Sequence, residues 1–136
     1  MTPTVIALLG FVLWTIVLVA FLGLYRVSLV LTGKRASPNF SPDGEDVEGI
    51  GRRLTRAHAN CYENLPLAGA ILLYAIATNQ TAITDGFAMF FLGARVLQSV
   101  THLVSTSRNA VTIRFLFYVA QIAILFIWVL RLAHMV

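Results

Sequence analysis

Charge is scarce in this chain: only 12% of its 136 residues are Asp, Glu, Lys or Arg, against 58% hydrophobic residues. With a mean hydropathy of +0.81, a soluble domain of this size could not hide so much apolar surface, so lipid is the expected solvent for much of it. Cysteine is almost absent. A lone Cys61 excludes an internal disulfide and any cysteine metal cluster, and reads as a small core residue. His58, His102 and His134 have no metal-ligand spacing, so no metal site is expected. The chain has no basic run interleaved with aromatics, which argues against nucleic-acid binding despite the net charge of +4. The first apolar stretch also lacks a basic leader. Its run from Val5 to Tyr25 is too long for a signal peptide, and its twenty-one residues rise ~31 Å at 1.5 Å each, enough to cross a bilayer.

What remains is a pattern of long apolar segments with short breaks. Helices are expected at about residues 4–31, 54–79, 85–104 and 111–133, in one domain spanning residues 1–136. The only long polar segment, 33–53, carries Pro38, Pro42, Gly44, Gly49 and Gly51 with acids at Asp43, Glu45, Asp46 and Glu48. Those acids lack the ligand spacing of a calcium loop, so the segment reads as a solvated turn region. The other two connections are short, which implies antiparallel neighbours. The predicted fold is an all-α integral membrane protein, an up-down bundle of four transmembrane helices. Pro66 falls inside the second helix, where a kink is expected because proline deprives the Tyr62 carbonyl of its partner. Trp14, Tyr25 and Trp128 read as packing or interfacial anchors. Arg26, Lys34, Arg35, Arg52, Arg53, Arg56, Arg108 and Arg114 flank loops one and three. The positive-inside rule therefore puts those loops in the cytoplasm and both termini opposite, with Arg131 the minor dissent.

Three of the apolar segments carry polar stripes at helical spacing: Arg56, Asn60 and Glu63; Arg95, Gln98 and His102; Arg114, Tyr118 and Gln121. Offsets of three, four and seven residues place each trio on one helix face. An ionisable group in a membrane costs roughly 2.5–3.5 kcal/mol even on lenient scales, so aligned stripes point to a shared polar cavity opening to the cytoplasm. Glu63 paired with Arg56 or Arg95 is the purely structural alternative. The surplus of arginine over glutamate favours an anionic ligand instead. Guanidiniums suit carboxylates and Glu63 suits an ammonium. Glutathione has that charge pattern plus a thiol, and a nearby arginine would favour its reactive thiolate form.

The segment Arg56-Ala57-His58-Ala59-Asn60-Cys61-Tyr62-Glu63-Asn64-Leu65-Pro66 resembles the signature of the MAPEG family, the membrane-associated proteins in eicosanoid and glutathione metabolism. The likeness extends to Thr32-Gly33-Lys34-Arg35, Ala94-Arg95 and Ile113-Arg114, and so over essentially the whole chain. It is nearer to the uncharacterised prokaryotic branch than to the named eicosanoid enzymes. The resemblance implies a homotrimer with glutathione between neighbouring subunits. Arg56, Asn60 and Glu63 would hold the tripeptide, and Arg35 (or Lys34) and Arg95 would add carboxylate contacts. Arg114 would stabilise the thiolate. Gln98, His102 and Tyr118 complete the candidate glutathione-binding set, with Tyr118 or Tyr62 as possible hydroxyl donors. A lipophilic second substrate would arrive from the membrane lipid along helices one and four, as for a microsomal-type glutathione transferase or peroxidase. His102 stands where several family enzymes have tyrosine, and Phe115 follows Arg114 where a prostaglandin synthase has serine. These departures bear on the reaction more than on the glutathione site. They leave open a non-catalytic lipid- or metabolite-binding scaffold. A transporter is disfavoured because the stripes do not cross the whole bilayer.

Overall fold

The computed structural model describes residues 1–35 and 39–135, so Pro38, one of the expected turn residues, lies outside the described residues. Four helices follow one another: α1 (Pro3–Leu31), α2 (Ile50–Ala77), α3 (Thr81–Val104) and α4 (Arg108–Leu132). Three of them begin earlier than the sequence pattern suggested. For α2 the reason is that Gly49, at φ +63°, serves as the cap, so the polar turn Ile50–Arg53 is already helical. For α3, Asn79 at φ +56° ends α2 sharply, and the Gln80 amide donates to the Ala75 carbonyl (2.8 Å), so the next helix starts at Thr81. For α4, the Ser107 hydroxyl accepts from the Ala110 amide (3.3 Å) and fixes the start at Arg108. The helix α2 runs through Pro66 without interruption.

The helices run up and down, with α2 and α3 as the central pair. Each of these packs on all three other helices, whereas α1 and α4 flank them without packing on each other. One end of the bundle gathers the segment between α1 and α2 and the short link 105–107. The other gathers the termini and the turn 78–80. The helices α1, α3 and α4 are each long and apolar enough to cross a membrane. The fourth expected span, α2, has the length, but its first half is too polar to meet the same description. The flanking helices are apolar around most of their circumference. Leu13, Phe21 and Leu24 on α1 and Phe115, Leu116 and Phe126 on α4 face outward, a pattern stable only in an apolar medium or under further protein.

An aromatic chain ties the helices together. Phe11 meets Phe91 edge-on at 6.0 Å, and Phe91 meets Trp128 at 5.6 Å, linking α1, α3 and α4. Trp128 is thus a buried core residue. Close approach of α1 and α2 depends on Gly51, where a Cβ would collide with the Tyr25 ring.

At the terminal end, Asp85 on α3 caps α1 from outside. One of its carboxylate oxygens accepts from the Thr4 amide (2.9 Å) and from the Thr4 hydroxyl (2.6 Å). The amide is one of the orphan donors of a helix start, and the negative charge sits at the positive end of the α1 dipole. Asp85→Ala is expected to lower unfolding stability by about 1–2 kcal/mol. Denaturant titration in detergent measures it, and an unchanged midpoint would mean the cap contributes nothing.

At the other end, the segment from Asn39 to Gly49 is strapped to the bundle. Arg35 forms an ion pair with Asp46 (2.6 Å), and Phe40 lies between the guanidiniums of Arg35 (4.6 Å) and Arg26 (5.2 Å). Val47 is buried, and Gly44, at φ +73°, sits against Thr55, where a Cβ would come within 2.9 Å. Two carboxyls of this strap are held below their ordinary value of 3.8. The Ser41 hydroxyl and the Glu45 amide hold Asp43, and the Ser41 amide and Arg35 hold Asp46. A carboxyl depressed in the folded state stabilises it above the unfolded value and loses that effect as pH falls through the folded value. The strap should therefore stay protected in hydrogen exchange down to about pH 4 and loosen only in stronger acid. Loosening near neutrality would contradict this account.

Candidate functional site

At the loop end, the first two turns of α2 face the last turn of α3 and the start of α4. Positions 52, 56, 60 and 63 recur at four, four and three residues, so α2 presents Arg52, Arg56, Asn60 and Glu63 along one face. Two adjoining cavities lie against this face. The larger, of about 580 Å³, is lined by Gly49, Arg52, Arg53, Arg56, His102, Thr106 and Arg114. The smaller, a cleft of about 440 Å³, is lined by Pro42, Asp43, Thr55, Arg56, Ala59, Asn60, Tyr62, Glu63 and His102. Both volumes fall within the roughly 300–1,000 Å³ of small-molecule sites. Arg56 and His102 belong to both walls. The cleft brings together two carboxylates, Asp43 and Glu63, whereas the larger cavity has four guanidiniums and no carboxylate.

Beneath the cavities the three stripes interlock. Arg114 donates from a terminal guanidinium nitrogen to His102 Nδ1 (3.2 Å). A guanidinium has no acceptor, so Nδ1 accepts and the imidazole proton resides on Nε2. Arg95 donates to Asn60 Oδ1 (2.6 Å) and more weakly to the Asn60 carbonyl (3.4 Å). The side chain of Arg95 is 0% exposed, its guanidinium lies 5.3 Å from the Phe11 ring centre, and its Nε and other terminal nitrogen have no partner among the described residues. Gln121 donates to Gln98 Oε1 (2.9 Å) and to the Phe117 carbonyl (2.9 Å), both side chains being buried. Cys61 meets the Ser99 hydroxyl at 3.2 Å within the core, the packed position expected of a structural cysteine.

The expected residues therefore divide. Arg56, Asn60, Glu63, His102 and Arg114 reach the cavities. Arg95 and Gln98 lie below them, as supports rather than walls. Arg35 is engaged in the strap with Asp46 and Phe40, away from both cavities. Tyr118 falls on the α4 stripe by spacing but is 39% exposed and lines neither cavity. The structural alternative of a Glu63 ion pair is not realised. Among the described residues, neither Arg56 nor Arg95 pairs with it, and the sole ion pair is Arg35–Asp46. Sequence reasoning missed Arg52, Arg53 and Thr106 as lining residues. Arg52 was within reach by extending the α2 stripe one turn backward, but starting the helix at about residue 54 hid it. Asp43 carries no local signal, because its place beside Glu63 depends on how the strap folds back.

This geometry stands beside the comparisons with known proteins. No curated protein and no solved structure matches the chain. The model of the MAPEG family matches residues 4–134, and with four helices, three of them apolar spans, the chain belongs to the MAPEG family of integral membrane proteins.

Proposed function

We propose that the protein is a homotrimer that binds glutathione and activates its thiol, for conjugation to a lipophilic electrophile or reduction of a lipid hydroperoxide. The observation that carries this reading is the sharing of Arg56 and His102 between an acid-containing cleft and an acid-free cavity that also contains Arg114. Glu63 and Asp43 suit the ammonium end of the tripeptide, and Arg56 suits a carboxylate. Glutathione, when bound, supplies the sulfur nucleophile. Arg114 places a permanent positive charge beyond His102, where it favours the anionic form of a thiol. His102, accepting from Arg114 at Nδ1, orients that guanidinium and offers an Nε2 proton to the cleft. Arg95 holds Asn60 from below. Outward-facing α4 residues such as Phe115 and Leu116 provide an apolar approach from lipid. The arginine-rich loop end faces the cytoplasm in this reading, with both termini opposite.

The engagement of Arg114 by His102 also suits a second reading, a membrane scaffold that keeps the cavity but performs no chemistry. One titration separates the two. Glutathione added to the detergent-purified protein near neutral pH should raise a saturable thiolate band near ~240 nm in the ultraviolet difference spectrum. Glu63→Gln should weaken binding about tenfold, the worth of one charged hydrogen bond. Binding without the band would support the scaffold, and absence of binding would remove glutathione from the account.

A further inference from the structure

A separate groove lies at the opposite end of the bundle, between α3 and α4. Ile83 and Phe87 of α3 and Ile124, Ile127 and Trp128 of α4 line it, and Arg131 is its sole charged residue. Trp128 is 1% exposed and Ile124 9%, so the floor of the groove is packed core. We propose that this groove seats one acyl chain of an anionic phospholipid, with Arg131 holding the headgroup phosphate. None of its residues lines either loop-end cavity, so the inference is independent of glutathione.

The volume of the groove, about 170 Å³, is below the roughly 300 Å³ at which small-molecule sites begin. It suits a length of chain and not a whole ligand. Positions 124, 127, 128 and 131 share one face of α4, at offsets of three, four and seven. From Ala123 to Arg131 the groove follows α4 for ~12 Å, parallel to the spanning helices, as an acyl chain lies. Helical side chains lean toward the helix N-terminus, so Arg131 leans back over the groove. It stands in the last turn of a span, the level of bilayer headgroups. Of the ten Lys and Arg residues it alone is at the terminal end, and it makes no ion pair among the described residues. Of the six Asp and Glu residues only Asp85 is at that end. Asp85 lies on the α3 face opposite Ile83 and Phe87, and its carboxylate caps α1 through Thr4. The sole acidic side chain that a second copy could offer at this level is the same Asp85, already committed to its own cap. A phospholipid supplies both the missing anion and the chain.

The test uses the full-length Trp14→Phe protein, in which Trp128 is the one tryptophan left. It is reconstituted in phosphatidylcholine vesicles that contain the same small fraction of either acyl-brominated phosphatidylglycerol or acyl-brominated phosphatidylcholine. Bromine quenches an indole only at close range, so Trp128 fluorescence reads occupancy of the groove. Brominated phosphatidylglycerol should quench as though bound about fivefold more tightly, the worth of one arginine facing an anionic headgroup. Arg131→Gln, at an exposed position, should remove that preference, and Arg131→Lys should keep it. Ala123→Phe, which fills the groove from another exposed position, should reduce quenching by both lipids. Equal quenching by the two lipids, or a preference that survives Arg131→Gln, would overturn the proposal. So would a Trp128 that neither lipid quenches, the result expected if another copy covers this face. Displacement of brominated phosphatidylglycerol by a far smaller fraction of oleate would give the groove to a free fatty acid and overturn the phospholipid.

Discussion

Arg114→Ala is expected to lower glutathione-dependent turnover by about 10²–10³-fold, the usual cost of removing one preorganised donor from a developing anion. Glutathione affinity should fall much less, because Arg56, Asn60 and Glu63 line the cleft independently of α4. The thiolate band should disappear with the turnover. Arg114→Lys makes the account specific. It keeps a charge but loses the planar fork that reaches both His102 and the cavity, so partial turnover is expected. The checking measurement is kcat beside an equilibrium glutathione titration for each variant. Turnover unchanged in Arg114→Ala would exclude the residue from thiol activation.

Asn60→Ala is expected to be the most destabilising single change in the site, by about 2–4 kcal/mol, because it strands a buried charge. The guanidinium of Arg95 has zero exposure, and its one short bond among the described residues goes to Asn60 Oδ1. Without that oxygen, the Asn60 carbonyl at 3.4 Å, the Cys61 side chain and the Phe11 face remain, none of them a strong acceptor. Removing the other partner should matter far less. Arg95→Met deletes the charge, fills much of the same volume against Phe11, and leaves Asn60 facing a cleft where water can satisfy it. Its expected cost is below about 1.5 kcal/mol. The double variant should resemble Arg95→Met rather than the sum of the two singles. Reversible unfolding in mixed detergent measures all three. Equal destabilisation by Asn60→Ala and Arg95→Met would show that the stranded charge is not what Asn60 prevents.

Much of the fold was legible because its signals are local. Apolar runs of membrane length mark the helices, and periodicity assigns Arg56, Asn60 and Glu63 to one face whatever that face meets. Caps were less legible. Gly49 and Gly51 look alike in sequence, yet Gly49 ends the strap at positive φ while Gly51 is already inside α2, chosen for the closeness of Tyr25. That distinction moved the start of α2 by a turn and brought Arg52 and Arg53 into the cavity wall. The site suffered the same limit. The spacing of Arg35 gave no hint that Asp46 and Phe40 would hold it in the strap, and the stripe on α4 could not reveal that Tyr118 stays partly exposed and outside both cavity walls while Gln121 is buried against Gln98.

The sequence by itself determined that this is a helical membrane protein with polar groups aligned along three helix faces, because hydropathy and helical period are properties of neighbours in the chain. The tertiary structure alone decided which group meets which. Asn60 with Arg95, Gln98 with Gln121, His102 with Arg114, and Asp43 beside Glu63 each depend on the register between two helices or on the fold-back of the strap. That register is set by side-chain packing summed over whole interfaces, from Gly51 under Tyr25 to Phe91 between Phe11 and Trp128, and no local window of residues contains it.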